Sequence, residues 1–539
     1  MPRPALHVPT RRQVLLGGVA GAAASVLTTP SATAAIQRAA QPVARTTPAM
    51  ARGAVPYAVD AARVRGWAAD TWHSLVRMTD EKTGLAADNI PESLAAADRS
   101  GYTSPTNIGG YLWSAVVARE LGIIEAAECT KRLVQTLRTV LRMEHHEPSG
   151  MYYNWYDAAT GAKLTAFPGS GDRIYPFLSS VDNGWLGAAL MVVRSADKGA
   201  APLADQIFRR MRWDMFYNPE APRPGGLMHG GFYDDPPPNP DATFTGNHIG
   251  VGPDVWYTKH HYDTTVSETR ITSYLGILTG QVPARHYFAM WRTFPASCDW
   301  SWHEMQPVGQ TRSYLGLDVY EGAYTYRGMH IVPGWGGSMF EELMPDVFVP
   351  EASWAPRSWG VNHPLHVRAQ REHGLEEAGY GYWGFSPSSD PFGGYREYGV
   401  DALGLNPDGY FSDKERTNYD AGFGDCRDGA NPTPRYGDGV VTPHAAFLAM
   451  MHEPAQAYDN LTRIQTELGA YGEGGFFDAV AVRSGTIARR YLSLDQAMVM
   501  GAIGNVLGDN VIRRAFATPA VERVLRPVIG MEEFGAGLA

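Results

Sequence analysis

Nearly five hundred residues of this chain repeat one pattern, an apolar stripe at helical spacing followed by a loop, and that pattern limits the fold more than any other feature. The stripes run through Val64, Trp67, Ala68 and Trp72; Ile108, Leu112, Val116 and Leu121; Leu133, Leu137, Val140 and Leu141; and Leu186, Leu190 and Val193. They continue at Ile271, Leu275 and Leu278, at Ala445, Leu448 and Met451, and at Leu494, Met498, Ile503 and Leu507. Residues three and four apart share a helix face, so each stripe predicts a helix with one buried side. Between helix pairs, segments 218–264, 294–336 and 379–442 are Gly/Pro/aromatic loops far longer than the usual connection of about 4–6 residues, and such loops commonly carry function. A helical solenoid and a closed ring of helical hairpins both fit. Solenoids repeat a self-similar unit of about 34–47 residues, and no such repeat is present. The expected fold is therefore all-α: an (α/α)6 barrel of six inner and six outer helices, with long loops over one mouth. No charge block, linker or composition break divides residues 57–539, which are read as one domain.

The N-terminus carries an address. Thr10-Arg11-Arg12-Gln13-Val14-Leu15-Leu16 is a twin-arginine signature, an apolar stretch runs to about Leu27, and Ala32-Thr33-Ala34 is an Ala-x-Ala cleavage site. Residues 1–34 are expected to be removed on export, leaving a mature start near Ala35, and residues 36–56 read as a disordered leader (domain boundary 35–56). A membrane anchor is disfavoured because the apolar run is short, Gly/Ala-rich and broken by Thr28, Thr29 and Pro30. After cleavage the protein is expected to be secreted, monomeric and free of the membrane.

Formal net charge is −10, and near −13 once the signal's Arg3, Arg11 and Arg12 are gone, which argues against nucleic acid and anionic membranes as partners. The chain holds 14 Trp, 27 Tyr and 19 Phe, enough rings to line a long concave surface for a neutral oligo- or polysaccharide. Cys129, Cys298 and Cys426 are too few and too scattered for a disulfide framework or a Cys-based metal site, though one disulfide is possible.

Glycoside hydrolysis needs two carboxyl groups flanking one bond, so acids next to rings and helix starts are the natural candidates. Ser179-Ser180-Val181-Asp182-Asn183-Gly184-Trp185-Leu186 leads into an apolar helix; Ser180 or Asp182 can cap it, and Trp185 offers a flat face for a sugar. Thr265-Val266-Ser267-Glu268-Thr269-Arg270 opens another. A glutamate there is ordinarily a dipole partner, and to act as an acid it would have to be shielded by the preceding loop. Pro333-Gly334-Trp335-Gly336-Gly337-Ser338-Met339-Phe340-Glu341 brings backbone and carboxylate close to a ligand. Gly381-Tyr382-Trp383-Gly384-Phe385-Ser386-Pro387-Ser388-Ser389-Asp390, running on to Tyr395, is too rich in rings and glycine to be core. The pairs His145-His146 and His260-His261 lack the helical spacing of a metal motif, and no phosphate loop is present, so no metal and no cofactor is expected.

These segments resemble the glucoamylase-like domain shared by bacterial endo-β-1,2-glucanases and the transglycosylating region of cyclic β-1,2-glucan synthases. The resemblance is carried by Thr103–Gly109, Ser180–Leu186, Glu268-Thr269-Arg270, Met339–Pro345, Trp383–Ser386, Asp438–Pro443, Gly475–Ala479 and Tyr491–Gln496, in the same order across roughly residues 60–530. It implies an (α/α)6 barrel, a β-glucan substrate and no metal, with Glu268 as general acid and Asp182 in the cleft. Where the synthase pattern places a nucleophilic glutamate after its Trp-Gly pair, this chain has Ser386, Pro387 and Ser388, which favours inversion over retention. The expected catalytic set is Glu268, Asp390 and Asp182, with Asp390 or a neighbouring acid as base. Trp185, Arg270, Trp335, Glu341, Trp383, Tyr395, Tyr491 and Asp495 are expected to bind the sugar. Two other readings stand beside it: a retaining transglycosylase or other polysaccharide enzyme of the same fold, and a glycan-binding protein without catalysis.

Overall fold

Two kinds of helix alternate along the chain. A computed structural model describes residues 59–294, 305–405 and 436–539, so the expected signal, the leader, Cys298 and Cys426 lie outside the described residues. In order come α1 (Ala61–Met78), α2 (Pro105–Glu120), α3 (Ala126–Val140), α4 (Ser180–Ala196), α5 (Ala201–Phe208), α6 (Arg270–Leu278) and α7 (Met339–Leu343). They are followed by α8 (Trp359–Glu372), α9 (Pro443–Ala449), α10 (Pro454–Glu467), α11 (Ser493–Leu507), α12 (Val511–Phe516) and α13 (Pro519–Ile529). Pro105 through Ala118 of α2, Ser180 through Val193 of α4 and Ser493 through Asn505 of α11 are buried without a break. In α1, α3 and α10 only a stripe is buried, such as Val64, Trp67, Ala68, Thr71, Trp72 and Leu75 in α1. A helix buried on all sides belongs to an inner layer, and one with a single apolar stripe faces water.

The inner helices follow one another as neighbours. Helix α2 packs between α4 and α11, α4 meets α6, α7 meets α9, and α9 meets α11. The junction of α6 and α7 is closed by Arg270, whose Nη1 donates to the carbonyl of Glu341 (2.7 Å). The outer α1 lies against both α11 and α2. Close contacts fall between corresponding early turns. A Cβ at Gly109 would stand 2.9 Å from the Trp185 carbonyl, and one at Gly184 would stand 2.2 Å from Thr272 Oγ1. Trp113 Nε1 donates to the Ala497 carbonyl (2.8 Å). Side chains larger than hydrogen at those glycines would push the inner helices apart. The pairing also brings the helix starts to one end of the ring.

The helical layers agree with the expected all-α class, but the long loops do not. Segment 218–264 supplies three of four strands: β1 (Phe177–Ser179), β2 (Gly231–Tyr233), β3 (Thr243–Gly246) and β4 (Val255–Thr258) form an antiparallel sheet in the order β3-β4-β2-β1. Segment 294–336 supplies β5 (Val308–Tyr314), β6 (Leu317–Tyr326) and β7 (Met329–Ile331), joined by β8 (Gly537–Leu538) in the order β5-β6-β7-β8. The β5–β6 hairpin turns on Leu315 and Gly316 at φ 49° and 79°, the positive values that a tight hairpin turn demands. Among the described residues no helix is long and apolar enough to cross a membrane.

Candidate active site

Serine side chains cap three of the helices whose starts meet at this end. Ser104 Oγ caps α2 by accepting from the Asn107 amide (3.3 Å), Ser179 Oγ caps α4 through the Asp182 amide (3.2 Å), and Ser338 Oγ caps α7 through the Glu341 amide (3.3 Å). The cap of α4 is thus Ser179 rather than Ser180 or Asp182; Ser180 Oγ donates instead to the His229 carbonyl (2.8 Å). The Asp182 carboxylate reaches across to α2, accepting from Thr106 Oγ1 (2.5 Å). Converging helix starts place partial positive charge at the mouth, which favours carboxylates there.

Glu268 occupies the centre of this arrangement. It immediately precedes Thr269, the cap residue of α6. Its Oε2 accepts from Trp185 Nε1 (2.7 Å), and its amide donates to Glu341 Oε2 (2.7 Å). Three inner helices thereby hold Asp182, Glu268 and Glu341 as one group. Across the mouth, α9 and α11 contribute His444 and Asp495, with Nδ1 3.5 Å from Oδ2. Asp478 joins them; burial raises its carboxyl above the usual range, and its Oδ2 accepts from the Ser389 amide (2.6 Å). That bond ties down the short hairpin bearing Asp390, whose Oδ2 takes Arg396 Nε (3.2 Å) and whose Oδ1 takes the Phe392 amide (2.9 Å). Ligand atoms of His444, Asp478 and Asp495 lie within 4.8 Å of one another, as do those of Asp346, Glu351 and His363, so both sets have metal-ligating composition. The second set is occupied by its own ion pairs.

Several residues expected to touch sugar are buried in the packing around the helices. Trp185 is fully buried against Trp113 and Phe348 and serves Glu268 through its indole N–H, so it offers no face to a ligand. Trp383 is buried with both backbone groups paired to the Asn460 side chain. Tyr491 is buried on Phe477, with its hydroxyl accepting from the Gly474 amide (3.1 Å). Arg270 is fully buried, bidentate to Glu351 (2.8 Å for both bonds) and stacked over Trp359 at 4.3 Å. In each case an aromatic or cationic side chain is turned inward, where rings and guanidinium bury the most surface. Trp335 packs with Phe294, Tyr324 and Leu405, while Tyr395 is half-buried on the Asp390 hairpin. Sequence reasoning passed over Asp88, which accepts from Asn107 Nδ2 (2.9 Å) and gives its carbonyl to the Ser493 amide, joining the starts of α2 and α11. His444 and Asp478 were passed over as well. Gly475–Ala479, the segment carrying Asp478, was the one available signal.

Below the mouth lies a closed ionic network. Arg270, His363 and Arg513 face Glu342, Asp346 and Glu351, with His363 Nδ1 2.6 Å from Glu342 and Nε2 3.3 Å from Glu351. Burial opposes charge on His363, but the Asp346 and Glu342 carboxylates outweigh it and push the imidazole up to about 9. Because the folded value exceeds that of an exposed histidine, this stabilisation is complete below about pH 6.5 and is lost as pH rises through about 9. Thermal unfolding followed from pH 7 to pH 10 is expected to show a midpoint falling across that window. A profile that stays level would mean that the network holds without an imidazolium.

The fold and the site define a layered helical protein whose converging helix starts gather buried carboxylates. More particularly, residues 260–519 of the chain match the family described as "Putative glucoamylase", and residues 66–218 match a "Protein of unknown function (DUF3131)" family. It is homologous to part of the cyclic β-(1,2)-glucan synthase NdvB of Rhizobium meliloti, at 28% identity over 279 residues, covering 48% of this chain and 8% of that protein. Among solved structures it shares its fold with the endo-β-1,2-glucanase from Chitinophaga pinensis (TM-score 0.59, 15% identity, 88% of this chain and 99% of that one). The β-1,2-glucanase from Parabacteroides distasonis is similar too (TM-score 0.62, 14% identity, 89% of this chain and 61% of that one).

Proposed function

We propose that this chain is an exported, monomeric glycoside hydrolase that cleaves a β-1,2-linked glucan at the mouth of an (α/α)6 barrel, with inversion. The observation that carries the reading is Glu268, held between Trp185 Nε1 and the Glu341 carboxylate at the convergence of three inner helix starts. Glu268 protonates the departing glycosidic oxygen. Asp390, on the hairpin tied to Asp478, activates water, and Asp182 and Glu341 take hydroxyl hydrogen bonds. The synthase homology and the glucanase fold support the β-1,2 linkage. Ser386, Pro387 and Ser388 stand where the synthase pattern has a nucleophile, which supports a water-mediated displacement.

The mature protein is expected to depolymerise linear β-1,2-glucan and to leave starch and cellulose untouched. The new reducing end should appear with inverted configuration, since acid and base spaced at about 6.5–9.5 Å leave room for a water. A linkage-defined panel with products resolved by size tests the substrate, and proton NMR in the first minutes tests the stereochemistry. Retained configuration, or longer products made by transfer, would establish the synthase-like transglycosylase instead.

A further inference from the structure

Beyond the carboxylate mouth, a cavity of about 530 Å³ opens between the turn after α3 and the tip of the long 218–264 loop, within the size range of ligand sites. It is lined by Arg142, Glu144, His146, Tyr153, Asp234 and Pro253. The histidine pair singled out in the sequence faces it. His146 is 3% exposed, its Nδ1 pairs with Ser149 Oγ (2.8 Å), and its Nε2 has no hydrogen-bond partner among the described residues. That nitrogen lies 3.9 Å from Asp234 Oδ1, too far for a direct bond and near enough for one hydroxyl beside the pair to reach both. Asp234 is held in place by Tyr153, whose hydroxyl donates to Oδ2 (2.6 Å). The opposite wall is equally fixed. Asn247 Nδ2 donates to the carbonyls of Val251, Gly252 and Pro253 (3.0, 3.1 and 3.0 Å), and Gly252 packs so tightly on Pro148 that a Cβ would stand 2.4 Å from it.

The lining selects the ligand class. Glu144 is paired with Lys163 (2.5 Å), and the remaining acids Glu147 and Asp234 outnumber Arg142 in the lining, so the pocket offers a phosphate or another anion no net positive charge. The groups whose ligand atoms converge within 4.8 Å among the described residues do not include these, so the pocket does not offer a cation a compact cage. A neutral molecule with adjacent hydroxyls fits, donating to Asp234 and exchanging a hydrogen bond with His146, whose imidazole burial keeps uncharged at neutral pH. The strands also connect pocket and mouth. Asp234 follows β2, and Gly231 at the other end of β2 pairs with Ser179, the cap of the helix bearing Asp182. Three residues of strand span roughly 10 Å.

The geometry points to a second sugar-binding pocket, in which His146 and Asp234 hold a glucosyl unit of the same chain that is cleaved at the mouth. This rests on the glucan reading above. Calorimetry on the Glu268→Gln protein, which retains the cleft, compares a linear β-1,2-glucan of some twenty units with a three-unit oligosaccharide. Adding Asp234→Asn, or separately His146→Phe, should weaken the long chain about tenfold and leave the trisaccharide within twofold. His146→Gln, which keeps a polar nitrogen near the Nε2 position, should recover most of the loss. Thermal midpoints confirm folding, and half-exposed Asp234 gives an informative variant even if the buried His146→Phe protein is unstable. Long-chain affinity unchanged by Asp234→Asn overturns the pocket while sparing the glucan reading; no binding of either sugar, with no cleavage by the wild-type protein, overturns both.

Discussion

Glu268→Gln is expected to leave the protein folded and able to bind glucan while slowing turnover by roughly 10²–10⁴, the usual contribution of a general acid. The amide is a sound probe because the local bonds survive it. Gln retains an oxygen to accept from Trp185 Nε1, and the bond from the residue 268 amide to Glu341 is made by backbone. What disappears is the transferable proton, so the basic limb of the pH–rate profile should vanish with it. Substrates with a good leaving group need less protonation and should lose correspondingly less. A loss under about threefold with unchanged stability would reduce Glu268 to a structural partner and direct the search to Asp182 or Glu341.

The helices were legible because their information is periodic and local. The stripe at Val64, Trp67, Ala68 and Trp72 is the buried side of α1, and Leu133, Leu137 and Val140 are that of α3. The inner helices were harder to place by periodicity, since Pro105–Ala118 and Ser180–Val193 bury every position. Strands β2 to β4 escaped because each is only three or four residues long, too short for an alternation to show, whereas β5 and β6, at seven and ten residues, were long enough to be seen and were missed inside a segment read as loop. Within the site, residue type and a helix start were enough to bring Asp182, Glu268 and Glu341 to attention. They did not tell which way a ring points. Trp185 and Tyr491 look alike with any exposed aromatic in sequence, and only packing shows that one supports an acid and the other fills a core. His444, Asp478 and Asp495 meet from three distant segments, a proximity that no spacing rule encodes.

Arg270→Met is expected to be the most destabilising single change near the site, costing on the order of 3–5 kcal/mol, because it leaves Glu351 charged and buried without its bidentate partner. Glu351 would retain His363 at 3.3 Å and the Tyr274 hydroxyl at 2.5 Å, which bounds the loss but does not replace two charge-assisted bonds. Lysine should not rescue it. A single ammonium cannot reproduce the fork that also donates to the carbonyls of Ser267, Glu341 and Glu342, nor the stack over Trp359. Those carbonyls belong to the two segments that carry Glu268 and Glu341, so activity should fall in Arg270→Lys by more than its stability predicts, through displacement of the acid. Denaturant unfolding separates the effects: the midpoint should drop with an unchanged slope, and kcat measured well below that midpoint should still be depressed. A stability loss below about 1 kcal/mol with full activity would show that Glu351 is satisfied by His363 and Tyr274 alone, and that the position of Glu268 is fixed by Trp185 and Glu341 without help from the network beneath it.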